Sequence, residues 1–171
     1  MLEPVKNALI SQYEASLCMV RDCIAACRDE HYEGLIAHGS FRYVAYHTLF
    51  FTDLYLTSSE DAFTLREIHQ RGGDERGDGM SPGVPKEELL PYVQLCRAKA
   101  IEVLASETEQ SFAGPSGFSW RKCSRLELHI YNIRHVQHHT GQLSAYLRRV
   151  DDSIGQRRDV IKWMGGGWHS A

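Results

Sequence analysis

The sequence predicts an all-α protein, an up-down-down-up four-helix bundle with a long crossover between its second and third helices. Three observations carry this expectation: four segments place apolar residues at three- and four-residue steps, alternating strand patterns are nearly absent, and the connections are short, long and moderate in turn. A short first connection makes the first two helices antiparallel, and a long second one lets the next two run the same way.

The first helix, about 4–30, carries Leu2, Val5, Leu9, Tyr13, Leu17, Val20, Ile24 and Cys27 along one stripe, and Gly34 and its turn end it. The second, about 39–58, has an unusually aromatic side: Tyr43, Val44, Phe50, Phe51 and Leu54. The third, about 86–106, repeats Leu89, Val93, Cys96, Ala100 and Val103 in steps close to a heptad. Pro91 requires either a separate turn before it or a bend, because proline kinks a helix interior. The fourth, about 124–150, has the clearest start, the Ser-x-x-Glu capping box of Ser124 and Glu127. The glycine-rich polar stretch 71–83 reads as a mobile connector; it lacks the Gly-x-Gly-x-x-Gly and Gly-Lys-Ser/Thr patterns of phosphate-cradling loops.

Bulk composition narrows the function. With 171 residues, 43% hydrophobic and 24% charged, the chain suits one domain, 1–171, in which 151–171 is a tail packed on the bundle or on a partner. Trp163 and Trp168 in that tail are too large to leave in water without reason. A net charge of −3 without a Lys/Arg block excludes the electrostatic footprint of nucleic-acid binding. No apolar run approaches the roughly 18–20 residues of a membrane span, so a cytoplasmic location is expected. The five cysteines contain no Cys-x-x-Cys pair, which removes zinc ribbons and thioredoxin-type redox pairs. Cys23 and Cys27 flank the first helix's stripe as small buried hydrophobes, whereas Cys18 points away from it, the position of an exposed thiol.

The histidines carry the chemistry. His135 and His139 stand four apart on the fourth helix, hence on one face about one turn apart, along the edge of a stripe formed by Leu126, Ile133, Val136, Leu143 and Leu147. His138 falls outside that edge, in solvent or behind the ligand rings. On the second helix His47 sits near the centre of the aromatic side. Taken alone, His47 is most simply a core histidine bonded to a tyrosine or a carbonyl. Three inward imidazoles from two helices are different, because one divalent ion satisfies three lone pairs that otherwise compete for donors. An antiparallel register with Ser58 level with Ser124 brings His47 and His135 to similar height. Tyr43 is either a hydrogen-bond donor in this site or a packing residue, Asn132 and Gln142 are candidate partners for the rings, and Asp53 reads as a solvated boundary charge.

The run Tyr131-Asn132-Ile133-Arg134-His135-Val136-Gln137-His138-His139-Thr140-Gly141-Gln142-Leu143, with the upstream His47, resembles the DinB-like (YfiT-like) superfamily of metal-binding four-helix bundles. The similarity extends from the first helix to about Arg149. It implies an up-down-down-up bundle, often dimeric, with a divalent metal on His47, His135 and His139. That superfamily includes thiol-dependent enzymes, among them bacillithiol transferases and the mycothiol-dependent maleylpyruvate isomerase. The expected function is therefore that of a metal-dependent enzyme acting on a small electrophile, by transfer of a low-molecular-weight thiol or by hydrolysis. The alternative is a non-catalytic, metal-stabilised binding or stress-response module. Imidazole sites accept several metals, zinc and nickel being the leading candidates. A homodimer with a small-molecule substrate and no nucleic-acid partner completes the expectation.

Overall fold

The computed structural model describes residues 2–36, 39–76, 83–150 and 161–169. It is mainly helical, in the order α1 (Leu2–Ala26), α2 (Asp29–Tyr32), β1 (Leu35–Ile36), β2 (Gly39–Ser40), α3 (Phe41–Tyr55), α4 (Glu67–Gly72), α5 (Lys86–Ser106), α6 (Glu109–Ala113) and α7 (Arg125–Val150). The two strands form a two-residue antiparallel hairpin, Leu35 opposite Ser40.

Local chemistry accounts for the boundaries. The Ser40 hydroxyl accepts from the Tyr43 amide at 3.2 Å and caps α3. Ser124 does the same for α7, accepting from the Glu127 amide at 3.1 Å. The first helix is shorter than its stripe suggests: it closes at Ala26, and Asp29–Tyr32 forms a separate turn before the hairpin. Helix α5 runs unbroken from Lys86 with Pro91 inside it, so no separate turn precedes the proline.

Helix α1 packs on α5 and α7, and α3 packs on the same two helices. Named contacts fix the sense of each pair. On α1 and α5, Lys6 meets Ala105 and Glu14 meets Arg97, so these two run oppositely. Helices α3 and α7 also run oppositely, with Thr52 against Asn132 and His47 against His139. Tyr46 against Tyr92 and Asp53 against Lys99 set α3 and α5 in the same sense. Tyr13 against His129 and Cys23 against Thr140 do so for α1 and α7.

The expected stripe of α1 is buried at Leu9, Tyr13, Leu17, Val20 and Ile24. The buried face of α7 is rotated from the expected one: Leu128, Asn132, Val136, Thr140, Leu143 and Leu147 are inside, while Leu126 and Ile133 are only half-buried. Asp53 is fully buried, not a boundary charge. Lys99 and Arg66 bind its carboxylate, and Tyr92 donates to it at 3.2 Å. The Arg66 amide donates to His69 Nδ1 at 2.8 Å, so His69 Nε2 carries the proton and donates to the Tyr92 hydroxyl at 2.9 Å. This network fastens α4, which lies within the crossover, to α3 and α5.

Cys18 is buried as well, because the tail covers it. The His169 carbonyl lies 3.6 Å from its sulfur, and Gly167 donates to the Ser11 carbonyl at 2.9 Å. Trp168 stacks under Arg21 and Arg97, each 4.6 Å from its ring centre, whereas Trp163 is 71% exposed. Residues 151–160 of the expected tail, and 77–82 of the expected connector, lie outside the described residues.

Candidate metal centre

His47, His135 and His139 meet between α3 and α7. Each offers one ligand atom such that all three lie within 4.8 Å of one another. Ring centres are 4.6 Å apart for His135 and His139, 5.0 Å for His47 and His139, and 5.5 Å for His47 and His135. The four-residue step supplies the α7 pair, and the antiparallel crossing with α3 brings in the third ring. His138 is exposed, and its ring meets that of His139 edge-on at 5.0 Å. His47 is half-buried at the margin of the aromatic side, not at its centre, because Tyr46 and Phe50 take the fully buried positions.

Hydrogen bonds decide which nitrogens are free. His47 Nδ1 lies 3.3 Å from Glu75 Oε2, and a carboxylate only accepts, so the proton sits on Nδ1 and the Nε2 lone pair is available. His139 Nδ1 lies 2.7 Å from Gln142 Oε1, which places its proton the same way. Both nitrogens of His135 are buried without a hydrogen-bond partner among the described residues. A buried imidazole with an unmet donor and an unmet acceptor is costly unless something occupies the space between the rings. Burial, and then the neighbouring imidazoles, push the His135 pKa down to about 2. Burial likewise pushes His139 down to about 4, against the opposing bond from Gln142. Both rings are thus neutral at physiological pH, the state in which imidazole binds a metal. The donor set therefore fits a divalent ion.

Glu75 is the residue that periodicity could not find. It lies in the glycine-rich connector, where no repeating pattern assigns a direction to any side chain. The chain enters the site because α4 is capped by Gly73, whose φ of 81° lies in the left-handed region, and because Gly72 sits against the Tyr46 ring where a Cβ would collide. The Glu75 side chain is only 4% exposed. Its Oε2 also accepts from the Tyr43 hydroxyl at 3.1 Å, so Tyr43 is a donor in the site and not simply a packing residue. Of the two expected ring partners, Gln142 holds a ring; Asn132 instead donates to the Thr52 carbonyl at 3.2 Å.

A cleft of about 360 Å³ opens beside the cluster, lined by His47 and His135 together with the rings of Phe51, Tyr55, Trp120 and Tyr131. Arg76, Arg121, Glu60 and Glu75 supply its charge.

Fold and site together define an all-α protein with a three-histidine cluster able to hold a metal beside an aromatic cleft. The sequence model of the DinB family matches residues 6–151, and the chain belongs to that family. No curated protein and no solved structure matches the chain.

Proposed function

We propose that His47, His135 and His139 bind a divalent metal, zinc or nickel, and that the protein is a metal-dependent enzyme acting on a small electrophile by thiol transfer or hydrolysis. The observation that carries this reading is the convergence of three imidazole donors, one with both nitrogens unpartnered among the described residues, beside a cleft large enough for a small molecule. Three protein ligands leave coordination positions open, which separates catalytic from structural sites. A divalent ion in such a site supplies Lewis acidity, acidifying a thiol or water at neutral pH and polarising an electrophile.

The chain's own residues perform the remaining tasks. Glu75 and Gln142 hold the outer nitrogens of His47 and His139, fixing tautomer and ring direction. Tyr43 steadies Glu75; burial and the carboxylate raise its pKa, so it remains a donor. Phe51, Tyr55 and Tyr131 shield the reacting end from water.

In this reading the four long helices form an up-down-down-up bundle within a single domain, 1–171. The opposed senses of α1 with α5 and α3 with α7 support that topology. The partners are a small electrophile and a low-molecular-weight thiol, without nucleic acid or membrane, and the working state is a cytoplasmic homodimer. Among the described residues no helix is long and apolar enough to cross a membrane.

Metal content is measured on the wild type and on His47→Ala, His135→Ala and His139→Ala, beside turnover of a panel of electrophiles with and without thiols. Stoichiometric metal in the wild type, lost in the variants, with turnover that chelation abolishes and metal restores, is the expected result. Full metal retention by all three variants would overturn the site. A fully metallated protein silent across the panel, yet melting far lower after chelation, would favour the non-catalytic module.

A further inference from the structure

Most charged groups around the cleft have a counterpart. Glu75 accepts from His47 and Tyr43, and Arg76 closes on Asp74 through Nε at 2.9 Å and Nη2 at 2.7 Å. Glu60 lies within electrostatic reach of Arg76. Arg121 differs. It enters from the loop before α7, and its electrostatic neighbours among the described residues are Tyr55, Tyr131, Cys123 and His135 of the cluster, with no carboxylate among them. Its guanidinium lies 4.1 Å from the centre of the Tyr131 ring and 5.9 Å from that of Tyr55. One Nη donates to the Tyr131 hydroxyl, while Nε is buried with no hydrogen-bond partner among the described residues.

We propose that the part of the cleft at Arg121 is an anion subsite and that Arg121 receives the carboxylate of a small planar electrophile whose reactive end lies toward the histidines. The inference rests on reading the cleft as the substrate site of the metal-dependent enzyme. A guanidinium is permanently charged, and its flat fork matches a carboxylate in two parallel hydrogen bonds. Here it is held over the Tyr131 ring and bonded to that residue's hydroxyl before any ligand arrives, so little ordering remains for the binding step. The cleft's walls are rings, Phe51, Tyr55, Trp120 and Tyr131, which favour a flat body over a branched one. Trp120, 43% exposed, stands at the rim.

The test is calorimetric titration of the zinc-loaded full chain with cinnamate and with its neutral isostere cinnamamide, repeated after zinc removal. Wild type is expected to bind cinnamate at least ~10-fold more tightly than the amide, the usual range for a charge-assisted pair. Arg121→Met abolishes this preference and Arg121→Lys keeps part of it, with zinc content unchanged. If Arg121→Met does not fold, Tyr131→Phe, which removes the hydroxyl orienting the guanidinium, must narrow the preference. Equal binding of the two probes, or of neither, overturns the proposal. So does a preference that survives Arg121→Met and vanishes with zinc removal, since the carboxylate would then sit on the ion. Wild type that takes up no zinc yet shows Arg121-dependent cinnamate binding would sink the metal reading and leave the anion subsite standing.

Discussion

At the scale of single residues, the site is organised by what holds the far side of each ring. Carboxylate or amide oxygens on Nδ1 of His47 and His139 leave both Nε2 lone pairs free, and raise the basicity of the nitrogens that would bind metal. Glu75 should therefore matter for affinity without being a ligand. Glu75→Ala is expected to weaken metal binding ~10–100-fold, and Glu75→Gln, which keeps an acceptor oxygen, by less. Competition against a chelator of known affinity measures both. Unchanged affinity in the alanine variant would mean that the 3.3 Å contact does not orient His47.

At the scale of elements, the crossover between α3 and α5 is where the protein departs most from a plain bundle. Helix α4 holds its C-terminal turn against Tyr46, delivering Glu75 to the site, while its N-terminal end is tied through Arg66 and His69 to the buried Asp53. Asp53 has no exposed surface and binds Lys99, Arg66 and Tyr92 together. Removing one member of such a network strands the others as buried, unpaired groups. Asp53→Ala is expected to cost about 3–5 kcal/mol, read as a lower urea midpoint. Because α4 carries the connector, the same variant should also lower metal affinity. A loss of stability with metal affinity unchanged would show that the connector's position does not depend on this anchor.

At the scale of the whole molecule, the end of the bundle where α7 begins is locked by a second buried polar cluster. Arg125 donates to the Tyr55 and Thr57 carbonyls and, through Nε at 2.9 Å, to Glu107; His129 lies 3.1 Å from the same carboxylate. Burial works against the Glu107 charge, but the bonds from His129, Ser111 and Arg125 outweigh it and hold the pKa down at about 2, against 4.5 ordinarily. The unfolded carboxylate takes up a proton at higher pH than the folded one. Its contribution is thus fully present above about pH 4.5 and is lost as pH falls toward about 2, and it amounts to about 3 kcal/mol. Burial also lowers the His129 pKa, so the ring stays neutral and adds to the acid sensitivity from about pH 6.5 downward. Urea midpoints for wild type and Glu107→Gln should differ most near neutrality and converge below about pH 3. A constant difference across that range would contradict this account.

The sequence by itself determined the helices and the pair of histidines that α7 brings to the candidate site. Apolar steps of three and four reflect the helical period, and a four-residue histidine step puts two rings on one face whatever surrounds them. It also pointed to His47, because an imidazole among aromatic side chains needs a partner. What it could not assign was anything lacking a period. Glu75 and Arg121 lie in connectors, where direction follows from a left-handed glycine, a close backbone approach and the packing of neighbouring elements. Cys18 and Asp53 were placed wrongly for a related reason: a helical wheel knows its own helix but not the tail or the crossover that later covers its outer side. Tertiary structure alone decided which imidazole nitrogens are free, what orients them and what lies beside them. Those are properties of contacts between segments far apart in the chain, and no local pattern encodes them.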